Sequence, residues 1–315
     1  MTVNSGSESF RRNPLRILRE LLQLARARER IRRLGVSRGP VRRHDLPAKL
    51  VVSLTSYPAR YRHLHRTIRS LLDQSVRPDA VILWLSHGEE TQLPASVTDL
   101  TRHGLTIRTC PDVRSYNKLI HTRAAFPEAF IVTADDDLYY EPRWLEALVE
   151  GWDPTDGCIV CHRAHRMLRK PDGTLMPYES WEQDVQDDAS RQPSTDLLPT
   201  GVGGILYPPG SLHADTANVD EIRRLAPTAD DLWFYWMARR AGTRHKKVGG
   251  RFRLILWPGT QTSGLKLANL TGLNDEQARK LLAAFGDPVL AGPGPVDTAE
   301  KPVSETPVSA KFASR

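Results

Sequence analysis

Between residues 50 and 133 apolar residues fall into short runs separated by stretches of helical spacing. Leu50-Val51-Val52-Ser53-Leu54 predicts a buried strand, and Leu64, Ile68, Leu71 and Leu72 then recur at spacings that put them on one helix face. Ala80 to Leu85 predicts a second strand and Leu105 to Arg108 a third. A helix from about Tyr116 to Ala125 precedes a fourth strand, Phe130 to Thr133. The order βαβαβαβ predicts an α/β fold, a mostly parallel sheet with helices on both faces. In such sheets ligands bind beyond the carboxyl ends of the strands.

The second half is less regular. A strand is expected at Gly157–Cys161, then a loop-rich stretch over 170–200, then Gly201-Val202-Gly203-Gly204 and the apolar run Ile205-Leu206-Tyr207. A helix pattern starts at Asp230-Asp231 and runs through Trp233, Trp236 and Met237 to Gly242. A last helix spans Asn274 to Phe285, with Asn274 as its expected cap. Residues 287–315, rich in Pro, Ala, Ser, Thr and Val, read as a disordered tail.

From Phe10 to Leu34 the pattern is again helical, with Leu15, Leu18, Leu22 and Ala25 on one side and arginines over most of the rest. Such a basic amphipathic helix suits an anionic membrane surface; docking on its own domain, or plain solvation, accounts for it equally. Charge sharpens this division. The 315 residues carry +7, but residues 1–50 hold thirteen Lys/Arg against four Asp/Glu, or +9, which leaves 7 − 9 = −2 for the body. A nucleic-acid-binding body would be basic on its own surface. The expected organisation is therefore an arm and linker over 1–47, a main domain over 48–286 and the tail. No apolar run approaches the roughly 20 residues that span a bilayer, and the N-terminus has no signal-peptide pattern. A cytoplasmic protein, peripheral at the inner face of the plasma membrane if the arm docks there, is expected.

Cys110, Cys158 and Cys161 make no disulfide framework. Cys158-Ile159-Val160-Cys161-His162 matches a haem-attachment pattern, and His165 nearby gives it the look of a zinc cluster. The segment also alternates like a half-buried strand, in which cysteine serves as a small apolar residue. That reading is preferred.

The chemistry concentrates at Ala134-Asp135-Asp136-Asp137-Leu138, directly after the fourth strand. Three adjacent carboxylates repel one another unless a cation, hydrogen bonds or solvent offset the repulsion. Mg²⁺ and Mn²⁺ take oxygen ligands and are often shared between one or two carboxylates and substrate phosphates. In an extended segment Asp135 and Asp137 would point to one side and reach one metal. A solvated acidic turn is the plainer alternative.

Strand, Asp-x-Asp and aromatic helix start (Leu138-Tyr139-Tyr140-Glu141-Pro142) together resemble the metal-binding motif of GT-A-fold glycosyltransferases, in particular the bacterial family-2-like enzymes. Four further segments fit in order. Val51 to Pro58 resembles the first strand and nucleotide-binding loop, and Tyr116-Asn117-Lys118-Leu119 the segment with a nucleotide-contacting basic residue. Pro199 to Gly204 resembles the acceptor-side glycine loop, and Ala229-Asp230-Asp231-Leu232-Trp233 the acidic pair that heads a helix and carries the catalytic base of inverting members. The resemblance covers about residues 48–286, divided into a nucleotide-sugar-binding half, 48–140, and an acceptor and catalytic half, 141–286.

The resemblance implies a hexosyltransferase using a nucleoside-diphosphate sugar, with UDP favoured, and a divalent cation, Mn²⁺ or Mg²⁺. Asp137 and Asp135 would hold the metal, with Asp136 able to replace either or to meet the donor. Thr55, Ser56, Tyr57, Arg60, Asn117 and Lys118 would line the nucleotide site. Asp231, or failing it Asp230, would be the general base. Gly203, Gly204 and Trp181 would face a glycan or lipid-linked acceptor. An ordinary helix cap explains one of the two acids at 230–231 equally. One departure stands out: Trp257-Pro258-Gly259-Thr260-Gln261 lacks the late histidine that many GT-A enzymes add to the metal, so a third protein ligand is unassigned. Two other readings compete. Another metal-dependent nucleotide enzyme, a phosphatase or nucleotidyltransferase, would want different residues after the first strand than Thr55-Ser56-Tyr57. A membrane- or polyanion-associated scaffold would need only the arm, so deletion of residues 1–45 would separate it from an enzyme.

Overall fold

The computed structural model describes residues 14–33, 42–260 and 272–290. Seven strands form the central sheet: β1 (Leu50–Thr55), β2 (Ala80–Ser86), β3 (Leu105–Cys110), β4 (Phe130–Thr133), β5 (Ile159–Cys161), β6 (Ile205–Tyr207) and β7 (His245–Lys247). Their spatial order is β7-β5-β6-β4-β1-β2-β3. Within it β6 runs antiparallel to both neighbours, and every other pair is parallel. This is the mostly parallel α/β architecture implied by the GT-A resemblance. The central strands β1 and β4 are buried along almost their whole length, as strands covered on both faces must be.

Helices cover the two faces. The helices α2 (Tyr61–Leu72) and α4 (Trp144–Gly151) pack Leu64, Ile68, Leu71, Leu145 and Leu148 against one side of β1, β2 and β4. The helix α3 (Asn117–Ala125) and, after α5 (Val219–Leu225), the helix α6 (Asp230–Arg240) pack on the other side, where α7 (Asn274–Phe285) joins them. Residues Leu232 to Arg239 of α6 are all buried, so this helix is enclosed rather than amphipathic. Its enclosure fixes where its first turn, Asp230-Asp231, points.

The N-terminal helix α1 (Pro14–Arg33) divides into two halves. In the second, Leu24, Ala27 and Ile31 pack on Tyr139, Ile255 and Trp257, and Arg30 pairs with Asp73 of the α2 C-terminus at 2.7 Å. In the first, Leu15, Leu18, Leu21 and Leu22 are 49–70% exposed. Docking and an exposed apolar stripe are thus both real, in sequence along one helix. Deleting residues 1–45 would uncover Trp257 and Tyr139, so that deletion does not separate arm from enzyme cleanly.

Two boundaries differ from expectation. Residues 287–290 belong to the body: Arg169 pairs with Asp287 at 2.5 Å and Arg239 donates to the Pro288 carbonyl at 2.8 Å. The remainder of the expected tail, 291–315, lies outside the described residues, as do most of the linker (34–41) and residues 261–271. Asn274 does not cap α7; it lies inside the first turn, and its side-chain oxygen has no hydrogen-bond partner. Among the described residues no helix is long and apolar enough to cross a membrane.

Candidate active site

The aspartate triplet sits at the carboxyl end of β4, the central position of the sheet, and three separate elements hold its backbone. The Asp135 N–H donates to the Tyr140 hydroxyl at 2.7 Å. Thr67 of α2 donates from Oγ1 to the Asp136 carbonyl at 3.0 Å. The Trp257 N–H donates to the Asp137 carbonyl at 3.0 Å, and the Trp257 indole N–H reaches Thr67 at the same distance. The late segment that lacks a histidine therefore still grips the triplet, through backbone and indole.

Asp136 and Asp137 lie in a turn, so alternation does not set their directions. Instead of Asp135 and Asp137 sharing a side, Asp136 and Asp137 share a cation. Arg60 Nη1 lies 2.5 Å from Asp136 Oδ1 and 3.0 Å from Asp137 Oδ2. Ser56 Oγ donates to the second Asp136 oxygen at 2.5 Å. Burial raises the Asp136 pKa, against the pull of Arg60 and Ser56. Asp135 turns the other way, to Lys118.

Lys118 Nζ lies 2.9 Å from Asp135 Oδ1 and 3.2 Å from Asp230 Oδ2. Burial works against its charge, but Asp135, Asp230 and Asp231 outweigh it and hold the ammonium well above its ordinary pKa. Asp230 Oδ2, although within ion-pair distance, accepts no hydrogen bond. Neither Asp230 nor Asp231 caps α6 through its side chain. Asp231 Oδ1 instead accepts the Gly201 N–H at 2.9 Å. Burial, and next the neighbouring Asp230, push the Asp231 carboxyl up to about 7, with Lys118 opposing. The cap explanation for this pair is thereby removed.

The remaining candidates divide. Tyr57 is 36% exposed, with the Arg60 guanidinium 5.4 Å from its ring centre. Thr55 spends its hydroxyl on the Trp84 carbonyl. Asn117 is buried and accepts the Val113 N–H at 2.9 Å, a local turn bond. Gly203 and Gly204 are closely covered by neighbouring protein atoms. A Cβ at Gly203 would meet Arg163 at 2.9 Å; one at Gly204, where φ is +91°, would meet the Trp144 ring at 2.4 Å. Trp181 is 3% exposed and donates its indole N–H to the Met176 carbonyl, so it packs in the core and offers no ring face to an acceptor. The glycine at the chemistry is Gly201, where a Cβ would lie 3.0 Å from Asp231 Oδ1 and 3.1 Å from Lys118 Nζ. Thr67 had no signal in the sequence beyond its residue type, because the backbone it holds lies 69 residues away along the chain; Tyr140 and Trp257 lay in segments the sequence singled out, but not for this role.

Cys158 and Cys161 are buried, Cys161 within the sheet strand β5, with burial pushing both thiols up to about 12. His162 bonds the Trp144 carbonyl, and His165 accepts the Asp184 N–H.

Among the described residues five carboxylates, Asp135, Asp136, Asp137, Asp230 and Asp231, gather around Lys118 and Arg60. Among the described residues no three Asp, Glu, His or Cys side chains converge to make a complete metal cage. A Mg²⁺- or Mn²⁺-type ion that arrives with a diphosphate needs only one or two carboxylates from the protein. The gathered carboxylates and the 28%-exposed Asp135 side chain fit such an ion.

No protein-family model matches the chain, and no curated protein sequence matches it. Among solved structures it is similar to the mannosyltransferase PcManGT of Pyrobaculum calidifontis in complex with GDP-Man and Mn²⁺, at 15% identity and a TM-score of 0.45, over 84% of this chain and 72% of that one. It is also similar to S. aureus TarS 1–349, at 15% identity and a TM-score of 0.38, over 63% of this chain and 57% of that one. Both likenesses are faint, and the reading of the site rests on its own residues.

Proposed function

We propose that the chain is a metal-dependent glycosyltransferase that moves a hexosyl group from a nucleoside-diphosphate sugar, UDP-linked by preference, to an acceptor hydroxyl with inversion. The observation that carries this is Asp231: a half-buried carboxylate pushed up to about 7 by desolvation and by Asp230, oriented by the Gly201 N–H, and separated from Asp135 by one lysine. A general base works best with a pKa near the operating pH.

Asp135, the exposed member of the triplet, would hold the divalent ion together with the donor diphosphate, with Asp137 joining it by turning from Arg60, and the ion would supply positive charge where the leaving diphosphate gathers negative charge. Arg60 and Lys118 add fixed positive charge on either side of the triplet. Asp231 accepts the acceptor hydroxyl proton as that oxygen bonds to the anomeric carbon and the bond from that carbon to the diphosphate breaks. Asp230 keeps the Asp231 proton affinity high. Tyr57, exposed beside Arg60, would stack on the nucleobase. Residues 48–140 then form the donor half and 141–286 the acceptor half. The exposed leucines and arginines of α1 suit an anionic membrane surface and a lipid-linked or cell-surface glycan acceptor.

A screen of nucleotide sugars for Mn²⁺-dependent release of nucleoside diphosphate tests the reading. Release abolished in Asp137→Ala and Asp231→Asn supports it; release indifferent to chelator and to both substitutions sinks it.

A further inference from the structure

A second feature lies one helical turn beyond Arg60. A cavity of about 460 Å³ opens between α1, the first turns of α2 and the Pro258-Gly259 turn, with Arg28, Arg62, His63 and Arg66 in its wall. That volume is within the range of small-ligand sites. Its charge is of one sign. Among the described residues no carboxylate pairs with Arg28, Arg62 or Arg66; Arg66 instead lies over the neutral Trp257 ring, 5.7 Å from its centre. Further along α1, Arg30 pairs with Asp73, and Arg32 and Arg33 share Glu29. Burial, then Arg28 and Arg62, lower the Arg66 pKa, while burial followed by Arg66, Arg62 and Arg28 lowers that of His63. Three guanidiniums gathered without a counter-charge make a fork-like donor set suited to phosphate oxygens.

The cavity is tied to the candidate active site by covalent and hydrogen-bonded neighbours. Arg60, on which Asp136 and Asp137 converge, immediately precedes α2, whose second and third residues are Arg62 and His63. Trp257, whose N–H holds the Asp137 carbonyl, immediately precedes Pro258-Gly259. Arg28 comes from the docked half of α1, whose other half carries the exposed leucines. A ligand here would lie beside the triplet and at the root of the helix.

We propose that this cavity binds a phosphoryl group carried by the acceptor. The identification of that ligand as an acceptor rests on the glycosyltransfer reading; the binding of a phosphoryl anion does not. The group belongs either to a lipid headgroup or to a soluble phosphorylated glycan, since both present the same oxygens.

Inorganic pyrophosphate titrated calorimetrically into the full chain, in chelator so that no cation bridges it to the aspartates, is the direct test. The double variant Arg62→Gln/Arg66→Gln should lose roughly tenfold or more in affinity, a change of about 1.4 kcal/mol per factor of ten. Arg28→Gln, on the exposed side of α1, should weaken binding in the same direction with the fold intact. Displacement of pyrophosphate by phosphatidate vesicles, but not by phosphatidylcholine vesicles, identifies a lipid source; failure of both, with the variant effects retained, identifies a soluble one. Equal affinity in wild type and variants, or no binding at millimolar pyrophosphate, overturns the site. If the variants also lose Mn²⁺-dependent UDP binding, the cavity serves the donor and the acceptor assignment falls. Pyrophosphate binding without turnover of any nucleotide sugar would sink the glycosyltransfer reading and leave the anion site standing.

Discussion

Lys118 Nζ donates to Asp135 Oδ1 at 2.9 Å, joining the first turn of α3 to the end of β4. The same ammonium faces Asp230 at 3.2 Å, so one cation ties the proposed metal-binding strand end to the helix that carries the proposed base. Breaking a buried ion pair by removing one partner commonly costs about 3–5 kcal/mol. Lys118→Met should destabilise the metal-free chain by on the order of 3 kcal/mol in urea unfolding, and Mg²⁺ or Mn²⁺ should restore part of the loss.

The pH dependence follows from Asp231, whose carboxyl is pushed up to about 7. As a base it must be ionised, so turnover should rise with pH through about 7. Asp231→Asn should lower kcat by about 10²–10⁴-fold at every pH. The stability effect has the opposite sense. A carboxyl with a raised folded-state pKa binds its proton more tightly folded than unfolded. Stability of the metal-free chain should therefore fall as pH climbs from the ordinary carboxyl range to about 7. Urea midpoints of wild type and Asp231→Asn across that window check this, the variant lacking that part of the slope.

Asp137→Ala should reduce turnover by roughly a hundredfold or more, since a metal's stabilisation of leaving-group charge is worth several kcal/mol. Excess chelator should do the same to wild type. Nucleoside diphosphate release is the readout.

Two glycines in one loop should behave differently. At Gly204, with φ +91° and a Cβ position 2.4 Å from the buried Trp144 ring, alanine should cost about 2 kcal/mol or more of stability. At Gly201 a methyl would press on Asp231 and Lys118 at 3.0 and 3.1 Å. Gly201→Ala should therefore lower kcat with a smaller loss of melting temperature. Thermal unfolding and steady-state kinetics on both variants separate the two roles.

The exposed leucines of α1 lie away from the cleft contacts described above. Leu18→Asp/Leu22→Asp should reduce sedimentation with anionic vesicles severalfold and leave donor hydrolysis in solution within about twofold of wild type. Unchanged sedimentation would remove the membrane role of this helix.

What the sequence determined by itself was whatever depends on near neighbours along the chain. Hydrophobic periodicity is local, so the βαβαβαβ run was legible to within a few residues, as were α6 and the N-terminal helix. The placement of Asp135, Asp136 and Asp137 after a buried strand was legible for the same reason. Tertiary structure decided which way each side chain points. The turn after β4 sends Asp136 and Asp137 to Arg60 and Asp135 to Lys118, which strand alternation had paired otherwise. Enclosure of α6 turned Asp231 from a helix-cap candidate into the acceptor of the Gly201 N–H, and burial in the same packing removed Trp181 from the surface. Charge, burial and hydrogen bonding at a site are properties of groups brought together from distant parts of the chain, and no local pattern encodes the distances between them.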